Sequence, residues 1–415
     1  MAGGCWRRAL SADRTAEDLL RELAPQVVGI LTRRCGDFTA AEDAVQEALV
    51  AAHTTWPRDG IPDNPRAWLL TTASRRLVDE QRSDAARRRR ERAWVEDRSG
   101  DAEVVQHDDS LTVLLMCCHP ALTPASAVAL TLRAVGGLTT AEVATAYGVP
   151  ESTMAQRISR AKRTLREHAA PFAPPSEDRF AERVRRALSV LYLLYNEGYA
   201  ASAGHQLTRT DRSAEAIRLA RLAHRLLPED DEVTSLLALM LLLDARRPAR
   251  VDAAGEVVPL AEQDRTLWDG ALVAEGTALL DSTLNRPGSP GPFQVQAAIA
   301  AVHDRAPTAS DTDWPQVLAL YGLLDQVAPS PFVTLARAVA LSEVEGPDAA
   351  EPVLEEAAAS LPANHRVDAV RGHLAELRGD RDAAREHYLR AARRATNLAE
   401  QRHLTRRALD LRGDG

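Results

Sequence analysis

Side chains able to read nucleic acid recur at helical spacing between Leu138 and Glu167. One side of a predicted helix carries hydrogen-bond donors: Ser152, Thr153, Gln156, Arg157, Arg160 and Arg163. The opposite side is an apolar stripe of Met154, Ile158, Ala161 and Leu165, spaced as in a helix that packs on one face. Arginine and glutamine can pair with base edges in the DNA major groove, and arginine also attracts phosphate. The pattern therefore predicts a DNA-reading helix.

A tight break precedes this helix. Thr139 or Thr140 can cap a first short helix, and Glu142 lies in its first turn, where an acidic side chain suits the helix dipole. Gly148 is expected to end that helix, and Pro150 lies just beyond it. A short helix, a glycine turn and a basic amphipathic helix together predict a helix-turn-helix. The alternative is a surface hairpin of helices whose arginine face is only solvated.

Charge is divided unevenly along the chain. The 415 residues carry 51 basic and 59 acidic side chains, for a net charge of −8. Residues 1–174 hold 23 of each, so the remaining residues carry the whole −8. The N-terminal part can present basic faces to phosphate, whereas the C-terminal part would be repelled by it. Hydrophobic content of 45% with only 4% aromatic residues indicates helical cores of Ala, Leu and Val.

The sequence carries no pattern typical of an enzyme, a metal site or a membrane span. Its cysteines, Cys5, Cys35, Cys117 and Cys118, lack metal-ligand spacing. The adjacent pair is predicted to be buried as small hydrophobic side chains, and His119 beside it is not expected to bind metal. Phosphate-binding loops and catalytic motifs are absent, so we expect a protein that is not an enzyme and has no cofactor. The longest apolar run, residues 236–243, is too short to cross a bilayer, so a cytoplasmic protein is expected.

Three helices are predicted before residue 84. The first has apolar residues at Leu19, Leu20, Leu23, Val27, Ile30 and Leu31. The second, from about Thr39, is expected to bury Ala41, Ala44, Val45, Ala48, Leu49 and Ala52. Its outer side would then be an acidic and amide face of Glu42, Asp43, Gln46 and Glu47. Pro65 lies near the start of the third helix, where its missing N–H costs little.

Together these patterns predict an all-α protein with two small N-terminal domains and a C-terminal α-solenoid. The expected boundaries are residues 10–84 for the first domain, 85–109 for a flexible linker, 110–169 for the helix-turn-helix domain, 170–179 for a Pro-rich linker and 180–415 for the solenoid. Within the last of these, the stretch beginning at Gly346 aligns with the stretch beginning at Gly379. A helix-pair repeat of about 34 residues is typical of tetratricopeptide-like stacking, and an irregular helical bundle is the alternative.

Several of these segments resemble those of an extracytoplasmic-function RNA polymerase sigma factor. FTAAEDAVQEALVAAHTTW and NPRAWLLTTASRRLVDEQR are similar to region 2, and LTLRAVGGLTTAEVATAYGVPESTMAQRISRAKRTLRE is similar to region 4. The motifs LYLLYNEGY, LLALMLLLDARRPAR and EQDRTLWD resemble the subgroup with a C-terminal tetratricopeptide-like extension. The resemblance implies a protein that binds core RNA polymerase and promoter DNA and directs promoter-specific initiation.

The resemblance also implies roles for individual residues. Contact with core polymerase would fall to Asp43, Gln46 and Glu47. The −10 element would be bound by Trp68, Arg75, Arg76, Asp79 and Arg82, although Trp68 also fits packing at the start of its helix. The −35 element would be read by Ser152, Thr153, Gln156, Arg157, Arg160 and Arg163, with Lys162 and Arg166 on phosphate or polymerase.

Two questions remain open at the level of sequence. The extension is expected to contact regions 2 and 4 and to modulate their activity, either as a repressor or as a required element. The alternative function is a helix-turn-helix regulator with a tetratricopeptide-type sensor, which would bind promoter duplex without polymerase. That alternative leaves residues 16–83 unexplained.

Overall fold

The computed structural model describes residues 16–89, 108–147, 149–168, 170–199, 210–252 and 256–411. Regular secondary structure in these ranges is helical, apart from an isolated antiparallel bridge between Val251 and Val257. The predicted all-α class is therefore confirmed. The chain divides into two compact units, residues 1–190 and 191–415. None of the helices within the described ranges is both long enough and apolar enough to cross a membrane.

The first unit contains two groups of helices. The N-terminal group is α1 (Ala16–Cys35), α2 (Phe38–Asp59) and α3 (Pro65–Arg89). The second group is α4 (Ser110–Cys117), α5 (Pro124–Ala134), α6 (Thr140–Tyr147) and α7 (Glu151–Glu167). Helix α8 (Glu177–Tyr199) begins in this unit and ends in the next.

Local sequence explains where the N-terminal helices begin and what they bury. Asp37 caps α2, because its carboxylate accepts hydrogen bonds from the backbone N–H groups of Thr39 (2.8 Å) and Ala40 (3.1 Å). Pro65 opens α3, as predicted. The predicted apolar positions of α2 are all buried: Ala41, Ala44, Val45, Ala48, Leu49 and Ala52. The alanines among them let α2 lie close to both α1 and α3, which flank it.

The first half of α8 is tied to the second helix group by two arginines. Arg183 donates a hydrogen bond to the carbonyl of Leu115 (2.7 Å), and Arg186 donates one to the carbonyl of Leu122 (2.7 Å). Both carbonyls lie at or beyond the C-terminal end of α4, where backbone acceptors lack helical partners. The arginines therefore satisfy groups that would otherwise be unpaired.

The second unit is a succession of antiparallel helices. They are α9 (Thr210–Leu226), α10 (Asp231–Ala245), α11 (Gly270–Leu284), α12 (Pro292–Arg305), α13 (Trp314–Val327), α14 (Pro331–Glu345), α15 (Pro347–Ser360), α16 (His365–Leu377), α17 (Arg381–Arg394) and α18 (Leu398–Asp410). From α12 onward each helix packs against the next one along the chain. This neighbour-to-neighbour packing is that of an α-solenoid.

The repeated helix pair predicted near the C-terminus is present. Helix α15 begins at Pro347 and α17 at Arg381, and the spacing of these starts matches the tetratricopeptide repeat. Ala350 and Leu354 of α15 are buried in the same way as their counterparts in α17, Ala384 and Tyr388. The aligned glycines lie slightly closer together than the helix starts, because Gly346 itself caps α15 whereas Asp380, the residue after Gly379, caps α17. The helix starts therefore measure the repeat better than the glycines do.

Two arginines, of which Arg246 is buried, join the segment before α11 to the end of α12. Arg246 donates to Asp304 (2.7 Å) and to the carbonyl of Ala300 (2.7 Å). Arg265 donates to the carbonyls of His303 and Ala306, both at 2.6 Å. These carbonyls end α12, where a cation suits the helix dipole. Burial, together with the nearby Arg246 and Arg265, lowers the pKa of His303 to about 4.

Two helical glycines of the solenoid should respond oppositely to alanine. A Cβ at Gly372 would lie 2.9 Å from the ring of Tyr388, whose hydroxyl donates to Glu376 (2.9 Å) and holds the ring in place. Nothing lies within 4 Å of a Cβ at Gly322. We expect Gly372→Ala to lower the free energy of unfolding by about 1–3 kcal/mol, and Gly322→Ala to raise it by about 0.5–1 kcal/mol, both measured by urea unfolding. A stabilised Gly372→Ala variant would contradict the tight contact.

Acid should destabilise the solenoid through His303. Its folded-state pKa of about 4 lies below the unfolded value of about 6.5, so the unfolded chain binds more protons between these pH values. Stability is therefore lost as pH falls from 7 to 5, by about 2 kcal/mol from this group. Urea unfolding at both pH values should show a smaller difference in His303→Gln. The control His373→Gln, at a half-exposed histidine, should retain the wild-type difference.

Candidate nucleic-acid interface

Helices α6 and α7 form the predicted helix-turn-helix. Thr139 and Glu142 make a capping box at the start of α6: the Thr139 hydroxyl accepts from the Glu142 N–H (3.2 Å), and the Glu142 carboxylate accepts from the Thr139 N–H (2.7 Å). Of the two threonines proposed as caps, Thr139 is therefore the one used. Helix α6 ends at Tyr147, and α7 begins at Glu151. Gly148, the predicted helix stop, lies outside the described residues.

Helix α7 presents the predicted donors to solvent. Its apolar stripe is buried: Met154, Ile158, Ala161 and Leu165. On the other side, Ser152, Thr153, Gln156, Arg160 and Arg163 are exposed and Arg157 is half-buried. The exposed donors extend along the N-terminal and central turns, the part of a recognition helix that enters a major groove. Lys162 differs from them, because it is buried on the opposite side of the helix.

Helix α3 carries a second exposed polar face. Arg75, Arg76 and Asp79 are exposed, whereas the Arg82 side chain lies outside the described residues. Arg75 and Asp79 line a cavity of about 520 Å³ together with Arg34, Leu70, Thr71, Ser74 and Val78. This mixture of apolar and hydrogen-bonding groups suits an unstacked base, whose face is apolar and whose edge is polar. Sequence reasoning did not identify Arg34 as part of this site, because Arg34 lies on α1, and it did not single out Val78 on α3.

Trp68 does not line that cavity. It is half-buried and packs edge-to-face on the buried Trp56, with ring centroids 5.6 Å apart. Its neighbour Leu69 is fully buried, as expected for the start of this helix. The structure thus gives Trp68 a packing partner in α2.

The polar face expected on the outside of α2 is only partly exposed, which corrects the sequence-based prediction. Glu47 is exposed, but Asp43 is half-buried and Glu42 and Gln46 are buried. The reason is tertiary, because α5 and α7 cover this side of the helix. We call Glu42, Asp43 and Gln46 the α2 polar patch.

The polar side chains of the α2 polar patch are paired with two cations and a backbone carbonyl of the second helix group. Arg133 on α5 pairs with Glu42 (2.8 Å) and approaches Asp43 (3.5 Å). Lys162 on α7 pairs with Glu42 and with Asp43 (2.7 Å for the latter). The Gln46 amide donates to the carbonyl of Arg133 (2.8 Å). The sequence did offer a signal for this contact, since Arg133 is the sole charged residue of the apolar helix α5.

A second contact joins α1 to the start of α4. Arg33 binds the carboxylate of Asp109 through both its Nε (3.0 Å) and an Nη, and Asp109 is almost fully buried. A Cβ added at Gly29 would overlap Asp109. A Cβ added at Gly137 would lie 3.2 Å from the methyl group of Ala24. Small residues thus allow the helix-turn-helix group to approach α1 closely.

Cys117 and Cys118 are fully buried, as predicted, and burial raises the pKa of both thiols. His119 lies next to His168, with ring centroids 6.3 Å apart. Across the described part of the chain, no group of three or more His, Cys, Asp or Glu side chains is arranged to hold a metal ion.

Each of the two helix groups of the first unit matches a known protein family. Residues 19–89 match Sigma-70 region 2, which covers α1–α3, and residues 112–165 match Sigma-70 region 4, which covers α4–α7. Residues 183–284 match a family of unknown function, DUF6596. The family matches therefore coincide with the two groups of helices that carry the exposed arginine faces.

Similarity to individual proteins extends over different lengths of the chain. An uncharacterized protein of Rhizobium meliloti is 39% identical over 393 residues, 92% of each chain. The ECF RNA polymerase sigma factor SigL of Mycobacterium tuberculosis is 34% identical and is matched over 87% of its length, corresponding to 36% of this chain. A solved structure of yeast Tom70 aligns with 96% of this chain and 85% of its own at 12% identity, with a TM-score of 0.37. The chain belongs to the extracytoplasmic-function family of RNA polymerase sigma factors.

Proposed function

We propose that this sigma factor holds core RNA polymerase through α2 and reads a promoter with α3 and α7, while its C-terminal solenoid modulates both activities. The observation that supports the proposal most directly is the presence of two separate exposed arginine faces, on α3 and α7, within the two family-matched helix groups. Region 2 supplies the first face and region 4 the second. Such a protein acts where polymerase and promoter DNA are, in the cytoplasm.

The −35 element is assigned to α7. Exposed Gln156 and Arg160 are one helical turn apart, so both can reach base edges in one major groove. Arg163 lies further along the helix, beside Glu167 (3.5 Å), in a position suited to phosphate. The buried stripe packs α7 against the rest of region 4, which keeps the donors in register.

The −10 element is assigned to α3. Arg75 and Arg76 would bind phosphates of the opened strand, and the cavity beside Arg75 and Asp79 would take an unstacked base. Unstacking a base costs a few kcal/mol, which contacts in this cavity would have to offset. Trp68 then acts through packing on Trp56 rather than through stacking on DNA.

The solenoid is proposed to act on regions 2 and 4 from within the same chain. The hydrogen bonds of Arg183 and Arg186 to the ends of α4 and its following loop support a mechanical link between α8 and region 4. Tethering makes even weak contacts effective, because the local concentration is high. Promoter-specific transcription that is unchanged after removal of residues 200–415 would overturn this role.

The −35 assignment predicts two distinguishable effects of arginine removal. Transcription with purified core polymerase should be measured on a promoter library randomised at the −35 element. Arg160→Ala should relax the preference at one base position, by about 1–3 kcal/mol of discrimination. Arg163→Ala should weaken all sequences about equally and flatten the salt dependence. Identical sequence profiles for wild type and Arg160→Ala would rule out base reading by Arg160.

The α2 assignment predicts that Glu47 contributes to polymerase binding. Glu47 is exposed on α2, and its ion-pair partner, Arg76 (3.4 Å), lies on α3 of region 2. Reversing the charge of Glu47 should therefore leave the packing of region 4 untouched. We expect Glu47→Arg to weaken binding to core polymerase by about tenfold or more, because it reverses the charge of a side chain on the proposed docking surface. Glu177→Arg, at an exposed residue in the first turn of α8, is the matched control. Equal affinities for the two variants would argue against docking through α2.

A further inference from the structure

The α2 polar patch includes residues assigned to polymerase binding that are in contact with region 4 in this structure. Asp43 and Gln46 belong to the surface assigned to core polymerase, yet both contact region 4, and the adjacent Glu42 has no exposed surface. Core polymerase and region 4 cannot both contact Asp43 and Gln46 at the same time.

We propose that region 4 packed on region 2 is a closed state that excludes core polymerase, held by Arg133 and Lys162 on the α2 polar patch. Polymerase binding then requires region 4 to separate from α2. The proposal rests on the proposed function, because it takes α2 as the docking surface.

The charged groups of this contact lie close together, but their net contribution to the free energy of closure is small. The Glu42 carboxylate is buried between one guanidinium and one ammonium group, and both cations are themselves largely buried. Removing one partner would leave a buried charge unpaired, which is costly. Separating the two surfaces instead returns every charge to water, so the net contribution of such a buried pair is small. The contact can therefore open as a unit while each region stays folded.

The second contact fixes the same arrangement without depending on the patch. Arg33 holds the buried Asp109 carboxylate, and Gly29 leaves no space between α1 and Asp109 for a side chain. At Gly137, a glycine with positive φ (71°) lies against Ala24. Complementary small residues on both surfaces indicate an interface that packs as closely as a protein core.

The closed state covers part of α2 but not the exposed side chains of α3 and α7. Ser152, Gln156 and Arg160 remain exposed on α7 while Lys162, on the same helix, faces α2. The exposed arginines of α3 are also left free of region 4. Closure therefore covers Gln46 and part of Asp43, while Glu47 stays exposed. It leaves the side chains assigned to DNA uncovered, and it would hinder the free protein from competing for polymerase until region 4 is released.

Lys162 makes the state of this interface directly measurable. It is the single lysine of the 415 residues and is only 4% exposed in the closed packing. Acetylation of the full-length protein with a succinimidyl ester, followed by peptide mass spectrometry, reports how often it becomes accessible. An unstructured lysine peptide in the same tube calibrates the reagent. With an open state populated at about 1–10%, Lys162 should react about 10- to 100-fold more slowly than the peptide.

Gly29→Leu tests the interface at the contact between α1 and Asp109. The leucine would collide with Asp109, whereas in α1 itself leucine is a better helix former than glycine. We expect Lys162 to react about tenfold faster in this variant, and core polymerase to bind about tenfold more tightly because the competent fraction rises. Gly322→Leu places the same change where nothing lies within 4 Å, and both readouts should remain at wild-type values.

A second variant tests the cations themselves. Arg133→Gln with Lys162→Met removes both partners of Glu42, so opening should again raise affinity for core polymerase about tenfold. Arg305→Gln with Arg381→Gln removes two exposed cations from the solenoid and is the matched control. Weaker polymerase binding by the Arg133/Lys162 variant, together with unchanged binding by Gly29→Leu, would overturn the proposal.

The remaining outcomes separate this proposal from the proposed function. Wild-type Lys162 that reacts as fast as the peptide would show that the closed state is not populated, and the proposal would fail while polymerase binding stands. Tighter binding after opening, with slow labelling of the wild type, supports it. If no variant binds core polymerase, the proposed function fails and this inference fails with it.

Discussion

The first unit is organised around one buried carboxylate. Glu42 lies on a helix whose other buried side chains are mainly apolar, and its charge requires partners within hydrogen-bond distance. Arg133 and Lys162 provide them from two different helices of region 4. Because α5 and α7 both reach α2 to supply these cations, this group helps to fix the position of the helix-turn-helix, together with the contact between Arg33 and Asp109. The exposure of Asp43, Gln46 and Glu47 is set by the same requirement.

The second unit uses related chemistry for a different purpose. Arg246 is buried against Asp304, and Asp368 is buried between Arg390 and Arg394. These pairs join neighbouring helices of the solenoid, and the packed side chains beside the second pair are mostly alanine. Polar pairing is more directional than alanine packing, so it can fix the register of helices that small residues merely allow to approach.

Recognition and regulation share helix α7 but use opposite sides of it. The exposed side carries the donors assigned to DNA, and the buried side carries the apolar stripe and Lys162. A helix of 17 residues is long enough to keep these roles on separate faces. The side chains assigned to DNA therefore stay accessible while Lys162 faces α2.

The sequence by itself determined the first three helices, the capped helix-turn-helix, the buried stripe of α7 and the repeated helix pair near the C-terminus. Each of these depends on residue spacing along one or two helices, which the 3.6-residue period makes readable. It could not determine that Glu42 and Gln46 are buried, because their surroundings come from Arg133 and Lys162, which are far away along the chain. The cavity beside Arg75 and Asp79 likewise needed Arg34 of α1. Periodicity specifies which face of a helix is polar, but only tertiary packing decides whether that polar face meets water or another helix.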